Sequence, residues 1–564
     1  MIRLFDHHRI RNTKELEGLW DFSKVAEVGD VPDRYTMKLP VPGCWESHAE
    51  LGTYRGKGVY RKMLSVPKKC NVRLEFKGVS HTANVYFDGM PAGHHYNAYT
   101  AYDVVLPEVE AGEHELLVYV DNSFGDHSAL HVPNDYYTYG GITRPVSMEI
   151  ISEVYLERVM FTPIQSTDGW KGHWRALLRN IGDKKQEAVV KGTVAGHELV
   201  FSSIDLNPGQ SSWVEGELAY PDVDAWSPEH PVLYELEARL TLNGVEADDW
   251  IDRIGFRSID ICGEKIMLNG KPLIFKGVNR HEDHPMAGSA LPLGLMVQDL
   301  DLIRELGCNS VRTSHYPYDE RFLDLCDELG ILVWEENHAR GLSLEQMQHP
   351  LFAVQSEQVT REMVEQHYNH PSIVIWAVLN ECASDTEEGR VHYRRQLEII
   401  REVDPLRPRT FASHHRSREK CFDLAEIVSV NLYPGWYTDE DPGELADLAK
   451  GWAESLGGSG KPMIISEFGG DGFYGFRSRD RVKGSEERQA DILLSNLKSY
   501  QSRDFISGMF IWQFCDCRVT EGLDWLLNRS CTRNSKGLVD EYRRPKLAYD
   551  VVKACFKPDS HISE

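Results

Sequence analysis

The chain has 564 residues, 41% of them hydrophobic and 10% aromatic, a globular composition with material for several cores. Its formal net charge of -25 argues against nucleic acid and anionic membranes as partners. An anionic substrate needs a local cationic receptor here, because the field of the whole protein repels it.

The first residues, MIRLFDHHRIRNTKELEG, contain no apolar core, so no secretory signal is expected. No apolar run along the chain is long enough for a membrane span. Residues 1–152 hold short alternating segments such as NVRLEFKGV, ANVYFDGMPAG and HELLVYVDN, separated by turn signals; they predict a jelly-roll β-sandwich. Residues 153–256 continue with VYLERVMFTP, HWRALLRNIG, EAVVKGTVAG and LYELEARLTLNG, and the length of this region suits an immunoglobulin-like sandwich. In residues 257–564 the rhythm becomes strand, then helix. The strands are IFKGVNRH, CNSVRTSH, ILVWEEN, IVIWAVLNE, RTFASHH, IVSVNLY, PMIISEFGG and GMFIWQFCD, with helical patterns such as VQDLDLIRELG and VHYRRQLEIIREV between them. This alternation predicts a (β/α)8 barrel. A doubly wound sheet would carry a Gly-rich loop after its first strand, and none is visible.

In such a barrel functional residues gather at the C-terminal strand ends. Those ends read Asn279, Arg280, His281 and Glu282; Arg312 and His315; Glu335, Glu336 and Asn337; Asn380 and Glu381; His414 and His415; Asn431 and Tyr433; Glu467; Trp512 and Asp516. A purely structural barrel needs no such concentration of polar groups. Glu381 and Glu467 each leave a long apolar strand, and two carboxylates above one sheet suit the cleavage of a glycosidic bond. The plainer reading of either is a strand cap or an arginine partner. A catalytic metal is disfavoured: His281 and His284 lack a clear third ligand, and HExxH is absent. No GxSxG elbow occurs, and GGSGKP lacks the earlier glycine and the Ser/Thr of a phosphate loop. A lectin could use both sandwiches, but it has no reason to keep two acids at strand ends. The eleven cysteines lack framework spacing and point to free thiols in a reducing cytoplasm; Cys515 and Cys517 read as ordinary strand-end residues.

The motifs FKGVNRHEDHP, NSVRTSHYP, NHPSIVIWAVLNE and IISEFGG, in this order, resemble those of glycoside hydrolase family 2, the family of β-glucuronidases and β-galactosidases. The resemblance spans essentially the whole chain. It implies a sugar-binding jelly roll, an immunoglobulin-like sandwich and a catalytic barrel, a retaining mechanism, no cofactor, and commonly a homo-oligomer. It makes Glu381 the acid/base and Glu467 the nucleophile. Asn534 and Lys536, in RNSKGLVDEYRRPKLAY, look like the asparagine–x–lysine signature of enzymes that recognise uronic acids. An ammonium and an amide can hold the carboxylate on C5 through charge-assisted hydrogen bonds. NDYYTYGGITR looks like a glucuronidase site loop, with Asp135 reaching the sugar hydroxyls, and VNLYPGWY would set Asn431, Tyr433 and Tyr437 beside the nucleophile. The implied activity is that of a β-D-hexuronidase acting on small-molecule or oligosaccharide β-uronides. A β-glucuronidase is expected first, a β-galacturonidase is the alternative, and a β-galactosidase stands behind both.

Three departures matter. HEDHP is closer to the galactosidase form of its motif. EENHARG brings Arg340 to a position where many glucuronidases have small or apolar residues. Two roles are open for it: binding an axial hydroxyl at C4, which favours galacturonides, or an ion pair at the surface or behind the substrate contacts. The stretch from Gly341 to Glu357 is short, without the insertion that some bacterial glucuronidases place over the site, and suggests an open mouth.

The resemblance also sets expectations for the chemistry. Asn380 holds the sugar 2-hydroxyl, Arg312 keeps Glu467 ionised, Tyr433 donates to Glu467, and His281 joins the substrate contacts. Trp512 is a wall for the sugar ring or a buried core residue. Glu381 is expected to stay protonated near neutral pH, because burial and the charge of Glu467 raise its pKa. Retention requires the two carboxyls roughly 5–5.5 Å apart.

Overall fold

The computed structural model describes residues 2–521 and 529–557. The N-terminal unit is a jelly roll of two antiparallel sheets. One holds four strands, Asn12–Glu15, Val146–Ile151, Cys70–Phe76 and Tyr102–Val109, and the other holds six. Trp20, Phe22, Leu74, Val85 and Val118 fill the space between them. The next unit is the immunoglobulin-like sandwich. Its strand Gly169–Asn180 shows why it forms: Trp170, Gly172, Trp174, Ala176, Leu178 and Asn180 all face inward, and the residues between them do not. A hairpin sheet, Ile259–Cys262, Lys265–Leu268 and Lys271–Leu273, leads into the barrel. Its Ile259, Ile266 and Leu268 pack with Phe275 and Leu332, which start barrel strands, so this end of the barrel is plugged with apolar side chains.

The barrel strands are β1 (Phe275–Asn279), β2 (Ser310–Arg312), β3 (Leu332–Glu336), β4 (Ile373–Ala377), β5 (Arg409–Thr410 and Ala412–Ser413), β6 (Val428–Asn431), β7 (Met463–Phe468) and β8 (Ile506–Ile511). All pairings are parallel, and β1 pairs with β8. The two halves of β5 end the strand order on opposite sides, so the sheet closes through that broken strand. Every residue of β4 and β7 is buried, which explains the apolar run of β4 and of Met463, Ile464 and Ile465 in β7, before Ser466 and Glu467 at its C-terminal end. The outer helices carry local start signals. Asp319, Thr386, Asp441 and Ser485 each accept a backbone N–H in the first turn of the helix they precede. No helix among the described residues is long and apolar enough to cross a membrane.

The jelly roll leans over the barrel mouth. Tyr139 donates to Asp283 at 3.0 Å, Arg144 pairs with Glu282 at 2.9 Å, and the Tyr136 hydroxyl lies 3.2 Å from His338 Nε2. These contacts bring the loop around Asp135 to the C-terminal strand ends.

Candidate active site

Arg312, at the end of β2, is fully buried and organises the cleft. It forks onto Glu336 of β3 at 2.8 and 3.0 Å. It also donates to Asn279 at 2.8 Å, Asn380 at 2.7 Å and Glu467 at 2.8 Å. One guanidinium thus ties β1, β2, β3 and β7 to the segment after β4. Glu467 takes a second hydrogen bond from the Tyr433 hydroxyl at 2.7 Å.

Glu381 leaves β4 through a tight turn in which Leu379 and Glu381 both have positive φ, 49° and 53°. Such backbone is costly for non-glycine residues and persists where the surroundings enforce it. Here Asn337 accepts from Leu379 N at 2.9 Å, and Glu381 N donates to Ala412 O at 2.9 Å. Asn431 Nδ2 donates to Glu381 at 2.8 Å while its Oδ1 accepts from Ser466 at 2.7 Å. Its backbone is paired beside Glu467, as the motif suggested, but its side chain serves the other carboxylate. Asn380 Nδ2 is buried with no hydrogen-bond partner among the described residues. A buried amide of this kind is costly unless a ligand hydroxyl accepts from it.

The surroundings act on the two carboxyls in opposite directions. Burial pushes Glu467 up to about 7; the charge of Glu381 adds to this, and Arg312 and Tyr433 oppose it. Burial also pushes Glu381 up, but His414, Arg340 and Asn431 outweigh it and hold that carboxyl well below the usual range. His414 Nδ1 lies 3.4 Å and Arg340 Nη2 3.5 Å from Glu381, two cationic partners that the motif left out of account. The two carboxyls interact, so they titrate as one system.

Lys536 is 1% exposed, with its ammonium 2.9 Å from Asp471 Oδ1 and over the rings of Trp436 and Tyr437 at 5.1 and 5.3 Å. Tyr437 in turn packs edge-on against Tyr433, so the lysine belongs to the wall that holds Glu467. Asn534 donates to Asp135 Oδ2 at 3.0 Å, and Arg529 donates to Asp135 Oδ1 at 2.9 Å. Trp512 is 4% exposed; it stacks on His315 at 5.0 Å and meets the edge of His281 at 5.5 Å. His281 bonds to the Tyr316 hydroxyl at 3.2 Å, and its Nε2 is buried without a partner. Arg340 is not a surface residue. It donates to Asn134 Oδ1 at 2.7 Å, faces Glu381, and its Nε is buried unpaired.

The expected site residues therefore converge. Sequence reasoning missed Asp471, Arg529, Asn134 and Trp436. Asp471 directly follows the IISEFGG motif, and Asn134 directly precedes Asp135, which were the available signals.

Comparison with known proteins accords with this geometry. The family model for the sugar binding domain of glycosyl hydrolases family 2 matches residues 13–151, that for glycosyl hydrolases family 2 matches residues 154–257, and that for the family's TIM barrel domain matches residues 259–558. The β-glucuronidase of Streptococcus agalactiae is 27% identical, over 95% of this chain and 95% of that one. The human β-glucuronidase is also 27% identical, over 95% of this chain and 90% of that one. Among solved structures, a family 2 β-galacturonidase from Eisenbergiella tayi bound to galacturonate is 48% identical, with a TM-score of 0.96 over 99% of both chains. A β-D-glucuronidase from Dictyoglomus thermophilum is 25% identical, with a TM-score of 0.83 over 99% of this chain and 98% of that one.

Proposed function

We propose that this chain, which belongs to glycoside hydrolase family 2, is a retaining β-D-hexuronidase that prefers β-D-galacturonides. The observation that carries the preference is the position of Arg340, half-buried in the cleft beside Glu381 with its Nε left without a partner. An axial C4 hydroxyl distinguishes galacturonides from glucuronides, and a fixed guanidinium is a fitting donor to it. The 48% identical relative bound to galacturonate supports the same order of preference, which reverses the expectation from sequence. Activity on β-glucuronides is the second reading, favoured by the curated relatives that align with 95% of the chain.

The uronate carboxylate binds Lys536 and Asn534, the local cationic receptor that an acidic protein requires. Asn380 donates to the 2-hydroxyl. Glu467 as carboxylate attacks the anomeric carbon, the bond to the aglycone oxygen breaks, and Glu381 delivers its proton to that oxygen. Water then attacks the glycosyl ester, gives its proton to Glu381, and releases Glu467 as carboxylate. Glu381 must carry the proton of the pair, and Glu467 none, when the anomeric carbon is attacked. Engagement of Arg340 by the sugar favours this, because it draws a cation away from Glu381. The eleven free thiols accord with a cytoplasmic location. Self-association into a homo-oligomer is part of the same reading, and light scattering tests it.

The deciding experiment compares 4-nitrophenyl β-D-galacturonide, glucuronide and galactoside under one set of conditions, with NMR of the first-formed anomer. Galacturonide turnover above glucuronide, with β-product, supports the reading. Faster turnover of the galactoside, or α-product, overturns it.

A further inference from the structure

A second constellation lies away from the cleft, where the first residues of the chain thread between the sandwiches. His7, His8 and Glu149 each offer one ligand atom, and these atoms lie within 4.8 Å of one another. All three residues line a cavity of about 110 Å³ that also touches Trp250 of the immunoglobulin-like sandwich and His367 of the barrel. Neither Glu381 nor Glu467 reaches it.

The free atoms point the same way. Glu149 is fully buried on the jelly-roll strand Val146–Ile151. Its Oε2 accepts from Arg11 and Arg73 at 2.9 Å each, but its Oε1 has no partner. His7 Nε2 is likewise buried without a partner. His8 Nδ1 lies 2.7 Å from the backbone carbonyl of Asp249. That bond fixes the ring with Nε2 as the free nitrogen, the support that a metal-bound histidine usually has behind it. Two imidazoles and a carboxylate, with His7 Nε2 and Glu149 Oε1 otherwise left unsatisfied, form a zinc-type ligand set.

We propose that His7, His8 and Glu149 bind a divalent transition-metal ion of the zinc class, which pins the N-terminal segment to both sandwiches. The surrounding charge permits it. Arg11 is paired with Asp248 at 2.7 Å, Arg73 with Asp103 at 3.0 Å and Glu75 at 3.4 Å, and Lys77 with Glu75 at 3.1 Å and Glu320 at 2.7 Å. With Glu149 and Asp249 added, carboxylates outnumber these cations by six to three. Arg3, also on the cavity wall, brings its own acids, Asp252 and Asp324. Tetrahedral ligation at roughly 2.0–2.2 Å sets ligand atoms about 3.4 Å apart, so binding draws the three atoms inward by about 1 Å and leaves the fourth position to water.

The test uses the full chain, stripped with a chelator and titrated with zinc chloride by calorimetry. One zinc per chain should bind and raise the melting temperature. His7→Gln should weaken binding by more than the roughly 100-fold lost with an outer-shell partner, and leave the metal-free melting temperature unchanged. Cobalt(II) should quench Trp250, whose ring lies 6.1 Å from that of His8, and Trp250→Phe should remove this quench without weakening binding. Absence of stoichiometric zinc, or equal binding by His7→Gln, overturns the proposal. The second result would move the ion to another group such as Asp324, Asp327 and His370. If His7→Gln fails to fold, lack of Trp250 quenching in the unsubstituted chain overturns it instead.

Discussion

Lys536 and Asp471 form an ion pair at 2.9 Å on the cleft wall, with the lysine side chain 1% exposed and the aspartate 16%. The proposed receptor for a substrate carboxylate thus already faces a carboxylate of its own chain. A uronate must share the ammonium with Asp471 or displace it. Lys536→Ala should cost on the order of 2–5 kcal/mol in kcat/KM on uronides, because it strands a desolvated carboxylate, and little on a neutral galactoside. Asp471→Asn should act in the opposite sense, lowering KM for uronides about tenfold, or about 1.4 kcal/mol. Equal losses on charged and neutral substrates in the lysine variant would sink the receptor assignment.

Glu467→Ala and Glu381→Ala should both lower turnover by at least about 10³-fold with the fold intact, but for different reasons. Azide can occupy the space left by either carboxylate. In the Glu467 variant it attacks the anomeric carbon directly and should give the α-glycosyl azide. In the Glu381 variant the glycosyl-enzyme still forms, and azide should give the β-azide. Product NMR distinguishes the two, and identical anomers would refute the division of roles.

The barrel and its two acids were legible because an apolar strand that ends in a carboxylate is a local pattern. Arg312, Asn380 and Tyr433 were legible for the same reason. What escaped was long-range pairing. Asp471 follows two glycines and reads as a turn, yet it neutralises Lys536, 65 positions on. Arg529 reaches Asp135 across 394 positions, from a different unit of the chain. The cationic surroundings of Glu381 escaped because His414 and Arg340 converge on it from two other strand ends, and no periodicity announces that.

The alkaline limb of kcat/KM should fall near pH 7, where the free pair loses the one proton that must reach the departing oxygen. Tyr433 donates to Glu467 and favours the ionised form. Tyr433→Phe should therefore move the limb upward by about one unit, equivalent to about 1.4 kcal/mol. A full pH profile of kcat/KM for both proteins reads this, and a limb that stays in place or moves down contradicts it.

Glu46, in the jelly roll, is a separate titration. Burial pushes it up to about 8 from 4.5, against the backbone N–H of Gly140. A carboxyl whose folded pKa is raised contributes stability that is fully present below its unfolded value and is lost as pH rises through about 8. Glu46→Gln removes the ionisation while keeping the shape. It should gain on the order of 2 kcal/mol over the parent at alkaline pH and almost nothing at pH 4, as read by urea melts. A pH-independent difference between the two would mean that Glu46 does not titrate in this window.

Arg340 has two effects that can be separated. As a donor to the C4 hydroxyl it discriminates epimers: Arg340→Met should lower kcat/KM on the galacturonide relative to the glucuronide by about 1.5–3 kcal/mol, roughly 10–150-fold. As a cation 3.5 Å from Glu381 it holds that carboxyl down. Its removal lets Glu381 keep its proton to higher pH, so the alkaline limb of kcat/KM should move upward on both substrates alike. A changed ratio with a moved limb requires both roles. A moved limb with the ratio unchanged leaves Arg340 as an ion-pair partner alone, and the preference for galacturonides would then have no structural basis in this cleft.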